Sequence, residues 1–252
     1  MIELHNVSLS YGKTRVLNGI DLKIREQGLT SVIGPNGAGK SSLLSVLNRF
    51  QRPSEGQATI DGTEIQSVDK MALAKRLSIL RQDNHIEARI TVEELVSFGR
   101  FPHHKGRPTK EDWAKVSEYI EFLDLCEYRT RFIDQLSGGQ RQRAFIAMVL
   151  AQDTQYVFLD EPLNNLDMKH SVSIMRQLRS ACDELNKSIV VVLHDINFAS
   201  CYSDEIIAMK QGEIFQVGTP EVIMQNSVLE GLYDMSMSVQ EINDKRLCLY
   251  YL

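Results

Sequence analysis

The sequence predicts an α/β fold with a mostly parallel sheet, helices on both of its faces, N-terminal antiparallel strands and an inserted helical segment. Short apolar runs such as LTSVIG (29–34) and YVFLD (156–160) alternate with segments of helical periodicity, as in parallel sheets. Apolar residues near the N-terminus recur at strand spacing. From about 90 to 152 the apolar residues follow helical spacing instead, which indicates an insertion between strands.

The length of 252 residues and the 43% hydrophobic content suffice for a large core. We expect a single domain over 1–252, with residues 1–89 and 153–252 as a core lobe and 90–152 as a helical subdomain. Thr91 and Glu94 have the spacing of a capping box, which predicts the start of the first inserted helix. The segment 101–110 is rich in Pro and Gly, which predicts a loop.

The charge and the cysteine content of the chain indicate which kinds of partner and which compartment to expect. A net charge of −5 argues against sequence-independent nucleic-acid binding, which depends on Lys and Arg contacts to phosphates. The four cysteines are scattered without metal-ligand spacing, which indicates free thiols in a reducing compartment. No secretory signal is predicted, and the apolar runs are too short to cross a bilayer. We therefore expect a cytosolic chain that reaches a membrane only by docking on another protein.

A glycine loop, GPNGAGKS (34–41), lies between a predicted strand and a predicted helix. Its glycines allow backbone N–H groups to converge on phosphate oxygens. Lys40 would reach the β- and γ-phosphates, and the Ser41 hydroxyl would ligate Mg²⁺. The alternative is a turn that merely opens a helix, but the complete pattern in this context favours phosphate binding.

The apolar strand in VFLDEP (157–162) ends in two carboxylates. Asp160 suits support of a Mg²⁺ ion. Glu161 would point away from Asp160 if the strand continued, and it would then polarise a water beside the γ-phosphate. Such an ending is often just a strand that meets solvent, but the glycine loop favours the catalytic interpretation.

Three further residues have interpretations that spacing leaves open. Gln82 and His194 each follow an apolar strand, and ligands gather at the carboxyl ends of strands in such sheets, although a lone His there is more often structural. Tyr11 precedes a turn glycine, where it could stack on a base or simply pack. We reject a metal site at His103 and His104, because no carboxylate or thiol partner is near them in the sequence.

The segment LSGGQ (136–140) predicts a second helix start of the anion-binding kind. Ser137 is a good N-cap residue, and Gly138, Gly139 and Gln140 follow it into a run of helix formers. A helix beginning in this way leaves backbone N–H groups bare for an anion. The chain would thus have two phosphate-binding helix starts.

Taken in order, these motifs resemble those of an ABC-transporter ATP-binding subunit over essentially the whole chain. They are Tyr11, GPNGAGKSS (34–42), Gln82, LSGGQ, VFLDEP, NNLD (164–167) and His194. The resemblance implies a P-loop NTPase fold of the ABC ATPase type, with a RecA-like core and with ATP and Mg²⁺ as cofactors.

The resemblance also implies a role for each matching residue. Glu161 is the catalytic carboxylate, Gln82 contacts Mg²⁺ and the attacking water, and His194 contacts the γ-phosphate. Mg²⁺ is held by Ser41 and Gln82, with support from Asp160. ATP is bound by Tyr11, Gly34, Pro35, Asn36, Gly37, Ala38, Gly39, Lys40, Ser41 and Ser42.

A second copy of the chain explains why there are two phosphate-binding helix starts. In the family, two subunits pack head to tail, and Asp167 lies in a loop that crosses their interface. Ser137, Gly138, Gly139 and Gln140 of one subunit then contact the ATP that the other subunit holds. Integral-membrane permease subunits are expected to dock around 82–100.

A narrower resemblance concerns the transported molecule. The segments 95–113 and 161–170 are similar to those of iron(III)-siderophore importers, especially those for catecholate siderophores such as petrobactin. This implies an ATPase at the cytoplasmic face of the cell membrane, peripheral to it, working indirectly with a substrate-binding protein. Haem or cobalamin import and an exporter subunit remain alternatives. A soluble ABC protein of DNA repair or translation is disfavoured, because the chain has one cassette and lacks a long coiled-coil insertion.

Overall fold

The computed structural model describes residues 1–82, 84, 86, 88–104 and 106–250. The chain divides into two compact units. Unit 1 comprises Met1–Val68 and Ser188–Leu252, and unit 2 comprises Asp69–Lys187.

The N-terminal part of unit 1 forms an antiparallel sheet and the first core strand. Its elements are β1 (Ile2–Tyr11), β2 (Thr14–Ile24), β3 (Gly28–Ile33), α1 (Lys40–Leu47), β4 (Glu55–Ile60) and β5 (Thr63–Glu64). The sheet has the order β2-β1-β4-β5, and β1 pairs with β2 from Ile2 opposite Ile24 to Tyr11 opposite Thr14. Alternate apolar residues of β1 and β2 are buried, so the predicted N-terminal antiparallel strands are confirmed.

Unit 2 is mainly helical and contains a parallel strand pair. Its elements are α2 (Lys70–Ala74), β6 (Leu77–Leu80), α3 (Val92–Phe98), α4 (Phe101–His104), α5 (Lys110–Phe122), α6 (Gly138–Ala151), β7 (Tyr156–Leu159) and α7 (Met168–Glu184). Short 3-10 turns cover Cys126–Tyr128 and Ile133–Gln135. The end of α3 packs closely on α6, since a Cβ on Gly99 would lie 2.0 Å from the carbonyl oxygen of Met148.

The C-terminal part of unit 1 contributes the strands that pair with β3 in the core sheet, together with three helices and a hairpin. Its elements are β8 (Ser188–Val192), α8 (Ile196–Tyr202), β9 (Glu205–Lys210), β10 (Glu213–Gly218), α9 (Pro220–Ile223), α10 (Asn226–Tyr233), β11 (Ser238–Ile242) and β12 (Lys245–Leu249). The core strands of unit 1 have the order β10-β9-β3-β8. In this order β3 is parallel to β8 and β9, and β10 forms a hairpin with β9, as the sequence EIIAMKQGEIFQVG (205–218) predicts. The predicted α/β class is confirmed.

The structure differs from the sequence prediction in three local features. Residues 101–104 form the helix α4, although a loop is predicted over 101–110; Lys105 lies outside the described residues. The apolar spacing after Lys40 predicts a helix that Pro53 stops, but α1 ends at Leu47, because Arg49 adopts a left-handed φ of 65°, which leaves Phe50 exposed. For the tail 219–252 the sequence predicts only a short helical stretch and an ill-defined strand, but the tail forms α9, α10 and the β11–β12 hairpin.

Among the residues that the structure describes, no helix combines the length and the apolar character needed to cross a bilayer.

A buried ion pair anchors the start of α5. Asp112 accepts hydrogen bonds from Thr109 N at 2.9 Å and Thr109 Oγ1 at 2.8 Å, and Arg100 Nε lies 3.1 Å from its other oxygen. The Arg100 guanidinium also donates to Ala151 O at 3.0 Å, which ties α5 to the end of α6. Burial alone would raise the pKa of Asp112, but the hydrogen bonds from Thr109 and the adjacent Arg100 lower it below its usual value.

We expect Asp112→Asn to destabilise the chain by about 1 kcal/mol at pH 7, because Arg100 loses its buried counter-charge. A carboxylate whose pKa is lower in the folded state than in the unfolded state stabilises the fold at any pH above its unfolded-state pKa. This stabilisation is lost as the pH falls through its folded-state pKa. The difference in free energy of unfolding between Asp112→Asn and wild type should therefore become smaller between pH 5 and pH 3. Urea unfolding at several pH values measures it, and a difference that stays constant down to about pH 3 would contradict the assignment.

Candidate functional site

In unit 1, the glycine loop connects β3 to α1 in a backbone conformation that requires glycine. Gly34, Gly37 and Gly39 have φ values of 145°, 78° and 98°. A Cβ on Gly34 would lie 2.1 Å from Met209 O, and one on Gly39 would lie 2.9 Å from Val16 O. The loop is therefore held tightly against neighbouring backbone, and its curvature is fixed before any ligand binds.

Lys40, the first residue of α1, is buried, with 5% of its surface exposed. Its Nζ donates to Gly34 O at 2.8 Å and to Pro35 O at 3.0 Å. The ammonium thus folds back over the glycine loop, beside the N-terminus of α1 where the helix dipole is positive. Asn36, Gly37 and Ser41 are exposed on the loop. A positive charge and a helix start at one concave loop suit an anion of high charge.

His194 follows β8 at the edge of the unit 1 core strands where the glycine loop begins. Leu193 N donates to Val32 O at 3.1 Å, so the ends of β3 and β8 lie side by side, and His194 is exposed. Tyr11 ends β1 and is 46% exposed, so its ring can take a stacking partner. The roles of His194 and Tyr11 stay predictions.

In unit 2, the side chains of Gln82 and Glu161 meet beyond the ends of the parallel strands β6 and β7. Gln82 Nε2 donates to Glu161 Oε2 at 2.8 Å, and Asn164 Nδ2 donates to the same oxygen. Asp160 N donates to Leu80 O at 2.9 Å, which extends the pairing by one residue. Gln82 Nε2 and Asn164 Nδ2 together orient the Glu161 carboxylate through its Oε2 atom.

Glu161 does not continue the strand, so the condition under which it was expected to point away from Asp160 is not met. Strand β7 ends at Leu159, and Glu161 adopts a left-handed φ of 51°. A non-glycine residue in this region costs about 1 kcal/mol or more, and such strain is concentrated at functional sites. The turn, and not the strand pleat, directs the carboxylate towards Gln82 and Asn164.

A cavity of about 480 Å³ in unit 2 brings Glu161 together with the start of α6. Its walls include Gln82, Glu161, Asn164, Gly138 and Arg141. Arg141 also donates to Asn84 O at 3.0 Å, which holds the chain after Gln82 against α6. The lining is mainly polar, as a site for a charged and hydrated ligand requires.

The segment LSGGQ begins α6 with a capping box. Gln140 N donates to Ser137 Oγ at 3.4 Å, and Ser137 N donates to Gln140 Oε1 at 3.0 Å. Ser137 is therefore the N-cap of α6, as its residue type predicts, and it caps the N–H of Gln140. A Cβ on Gly138 would enter open space, whereas one on Gly139 would lie 2.3 Å from the ring of His170.

Two residues for which the sequence predicts no individual role belong to this cavity or to its surroundings. Asn164 donates to Glu161, and His170 contacts both Gly139 and Asp167. Asp167 is the N-cap of α7 and accepts from His170 N at 2.8 Å and His170 Nδ1 at 2.7 Å, which lowers the pKa of Asp167. An Asn three residues after the predicted catalytic Glu was a usable signal, whereas the His170 contacts depend on the packing of two helices.

Comparison with known proteins identifies the family of the chain. The family model described as ABC transporter matches residues 17–164. The petrobactin import ATP-binding protein YclP of Bacillus subtilis is 52% identical over the full length of both chains. The petrobactin import ATP-binding protein FatE of Bacillus anthracis is 48% identical over 95% of this chain and 96% of its own.

A solved structure has a similar fold. It is the dimeric, post-hydrolysis state of the ATP-binding cassette MJ0796 bound to ADP and Pi. The TM-score is 0.76 at 31% identity, and the match covers 87% of this chain and 99% of that one. The chain therefore belongs to the ABC transporter family, as an ATP-binding ATPase subunit.

Proposed function

We propose that this chain hydrolyses ATP to drive import of an iron(III)-siderophore of the petrobactin type through a separate membrane permease. The observation that most supports this proposal is the 52% identity to the petrobactin import ATP-binding protein of Bacillus subtilis, over the full length of both chains. The segments 95–113 and 161–170, which resemble those of siderophore importers, support the same class of transported molecule.

ATP binding is assigned to unit 1 and to the start of α6. The glycine loop and Lys40 hold the phosphates, with Tyr11 against the adenine ring. Ser41, Gln82 and Asp160 would supply hydroxyl, amide and carboxylate oxygens to Mg²⁺, and oxygen donors of this kind are those that Mg²⁺ prefers. A bound Mg²⁺ would neutralise charge on the β- and γ-phosphate oxygens.

In the reaction, a water attacks the γ-phosphorus, the bond from phosphorus to the bridging oxygen of ADP breaks, and inorganic phosphate leaves. Glu161 accepts a hydrogen bond from the water and polarises it. Gln82 and Asn164 both donate to Glu161 Oε2, so the carboxylate is already oriented before the water binds. His194 contacts the γ-phosphate and stabilises the charge that develops there.

The proposed functional state contains a second copy of the chain. The dimeric structure of the similar cassette MJ0796 bound to ADP and Pi supports this arrangement. Residues 137–140 of one subunit would close over the phosphates held by Lys40 of the other, so each ATP binds at the interface. ATP then favours the closed dimer, and hydrolysis reopens it.

The remaining partners are permease subunits and, through them, a substrate-binding protein, so the chain works as a peripheral subunit at the cytoplasmic face of the membrane. The permease is expected to dock around residues 82–100. Asp83, His85 and Glu87 in that segment lie outside the described residues.

Uptake of radiolabelled iron tests the substrate class. Cells in which this gene is deleted should lose most uptake of iron bound to petrobactin, and the wild-type gene should restore it. A gene encoding Glu161→Gln, which keeps the protein present but blocks the proposed chemistry, should not restore it. Unchanged petrobactin uptake in the deleted cells, with loss of haem or cobalamin uptake, would contradict the proposal and assign the other cargo.

A further inference from the structure

The side chain of His170 connects two segments that the proposed function gives to the dimer interface. On one side, its Nδ1 lies 2.7 Å from Asp167 Oδ1, and its backbone N donates to the same oxygen at 2.8 Å. On the other side, its ring packs directly on Gly139 in the first turn of α6, where an added Cβ would lie 2.3 Å from ring Cδ2. One imidazole thus touches both the loop 164–167 and the segment LSGGQ.

The ring of His170 lies so close to Gly139 that no side chain fits between them. A Cβ at Gly139 would also lie 2.6 Å from Cγ and 3.0 Å from Nε2 of the ring, so the Cδ2 side of the imidazole faces Gly139. The hydrogen bond from ring Nδ1 to Asp167 Oδ1 restricts rotation of the ring. His170 therefore cannot turn its ring away from Gly139 without breaking this hydrogen bond to Asp167.

We propose that His170 is a positioning residue that holds the segment LSGGQ and the loop 164–167 as one rigid surface for the partner subunit's nucleotide. This inference rests on the proposed function, in which both segments face the other copy of the chain. His170 itself contacts neither ATP nor the attacking water. It acts through Gly139 and Asp167, by ordering them before the two subunits associate.

The closed dimer would form in two steps that can be measured separately. Each subunit binds ATP first through its own glycine loop, to which His170 makes no contribution in this account. The subunits then associate, and at this step an unordered LSGGQ segment must be ordered at a cost in conformational entropy. Loss of the imidazole should therefore weaken association and leave the first step unchanged.

The test measures both steps in a Glu161→Gln background, which blocks hydrolysis. Sedimentation with saturating ATP and Mg²⁺ gives the dimer dissociation constant, and calorimetry on dilute protein gives the affinity of a single subunit for ATP. His170→Ala should raise the dimer dissociation constant at least tenfold while ATP affinity stays within twofold. Lys169→Ala, on the same helical turn, is the matched control and should change neither value.

A second variant distinguishes positioning from loss of the helix. His170→Gln places a residue suited to the third helical position of α7 but removes the ring from Gly139. It should weaken association as His170→Ala does, and it keeps the test available if His170→Ala does not fold. Gly139→Ala should raise the dimer dissociation constant less when His170 is already Ala than when His170 is present, because the added methyl group no longer meets the ring.

The other outcomes contradict either the positioning role of His170 or the proposed function. Dimerisation within twofold of the control in both His170 variants overturns the positioning role. A parallel loss of ATP affinity overturns it too, since His170 would then act on its own subunit's nucleotide. If the Glu161→Gln protein with His170 intact forms no ATP-dependent dimer, the proposed function fails at that step, which is a separate result.

Discussion

Glu161→Gln is expected to bind ATP normally, to hydrolyse it on the order of 10²–10⁴-fold more slowly, and to accumulate as an ATP-bound dimer. The substitution keeps the shape of the side chain and its contacts with Gln82 and Asn164 within reach, but it removes the charge that polarises the water. Phosphate release at saturating ATP and Mg²⁺ measures the turnover, and sedimentation measures the dimer.

The matched control for this result is Glu127→Gln, a change of an exposed carboxylate in the same unit. It should leave both turnover and association at wild-type values. Turnover of the Glu161 variant within a few-fold of wild type would remove Glu161 from the catalytic role. The contacts of its carboxylate would then be structural only.

Lys40→Ala is expected to lower the affinity for ATP by about 3 kcal/mol, roughly a hundredfold, because charge-assisted hydrogen bonds to phosphate oxygens are lost. The Lys40 ammonium lies inside the curve of the glycine loop, 2.8 Å from Gly34 O and 3.0 Å from Pro35 O. Its removal takes away the positive charge at the proposed phosphate site and also the two hydrogen bonds from Lys40 to the backbone of the loop. Calorimetry with ATP and Mg²⁺ measures the loss.

Lys23→Ala is a suitable control, since Lys23 is an exposed surface lysine in the same unit. Its affinity for ATP should match that of wild type. Thermal unfolding of both variants without nucleotide separates a loss of binding from a loss of folding. A folded Lys40→Ala protein with unchanged affinity for ATP would contradict the phosphate-binding role of the glycine loop.

Short-range chemistry made much of this fold predictable from the sequence. The capping box at Thr91 and Glu94 is present as expected, because all of its partners lie within four residues of one another. The sequence predicts that the helix after LSGGQ continues to about Ala151, and it ends there; β9 and β10 form the predicted hairpin. Each of these features depends on local periodicity or turn residues, which a single sequence contains in full.

Elements whose local signal is weak were predicted less well. Residues 101–104 are helical although Pro and Gly follow closely, since the preceding helix and the contact of His103 Nε2 with Gln152 O at 2.9 Å favour a helical turn. Helix α1 ends six residues before Pro53, because the left-handed conformation of Arg49 already stops it. Propensity alone does not distinguish such endings from continuation.

The sequence by itself determined which residues we propose for the chemistry: the glycine loop with Lys40, the carboxylate Glu161, and the segment LSGGQ. Their identity follows from residue type and spacing, which are properties of the chain. Only the tertiary structure decided how these groups are held. The left-handed turn at Glu161, the donation of Gln82 and Asn164 to one carboxylate oxygen, and the packing of His170 on Gly139 join residues from different elements. Such contacts depend on how helices and strands pack, and no local pattern encodes the distance between two side chains that are far apart in the chain.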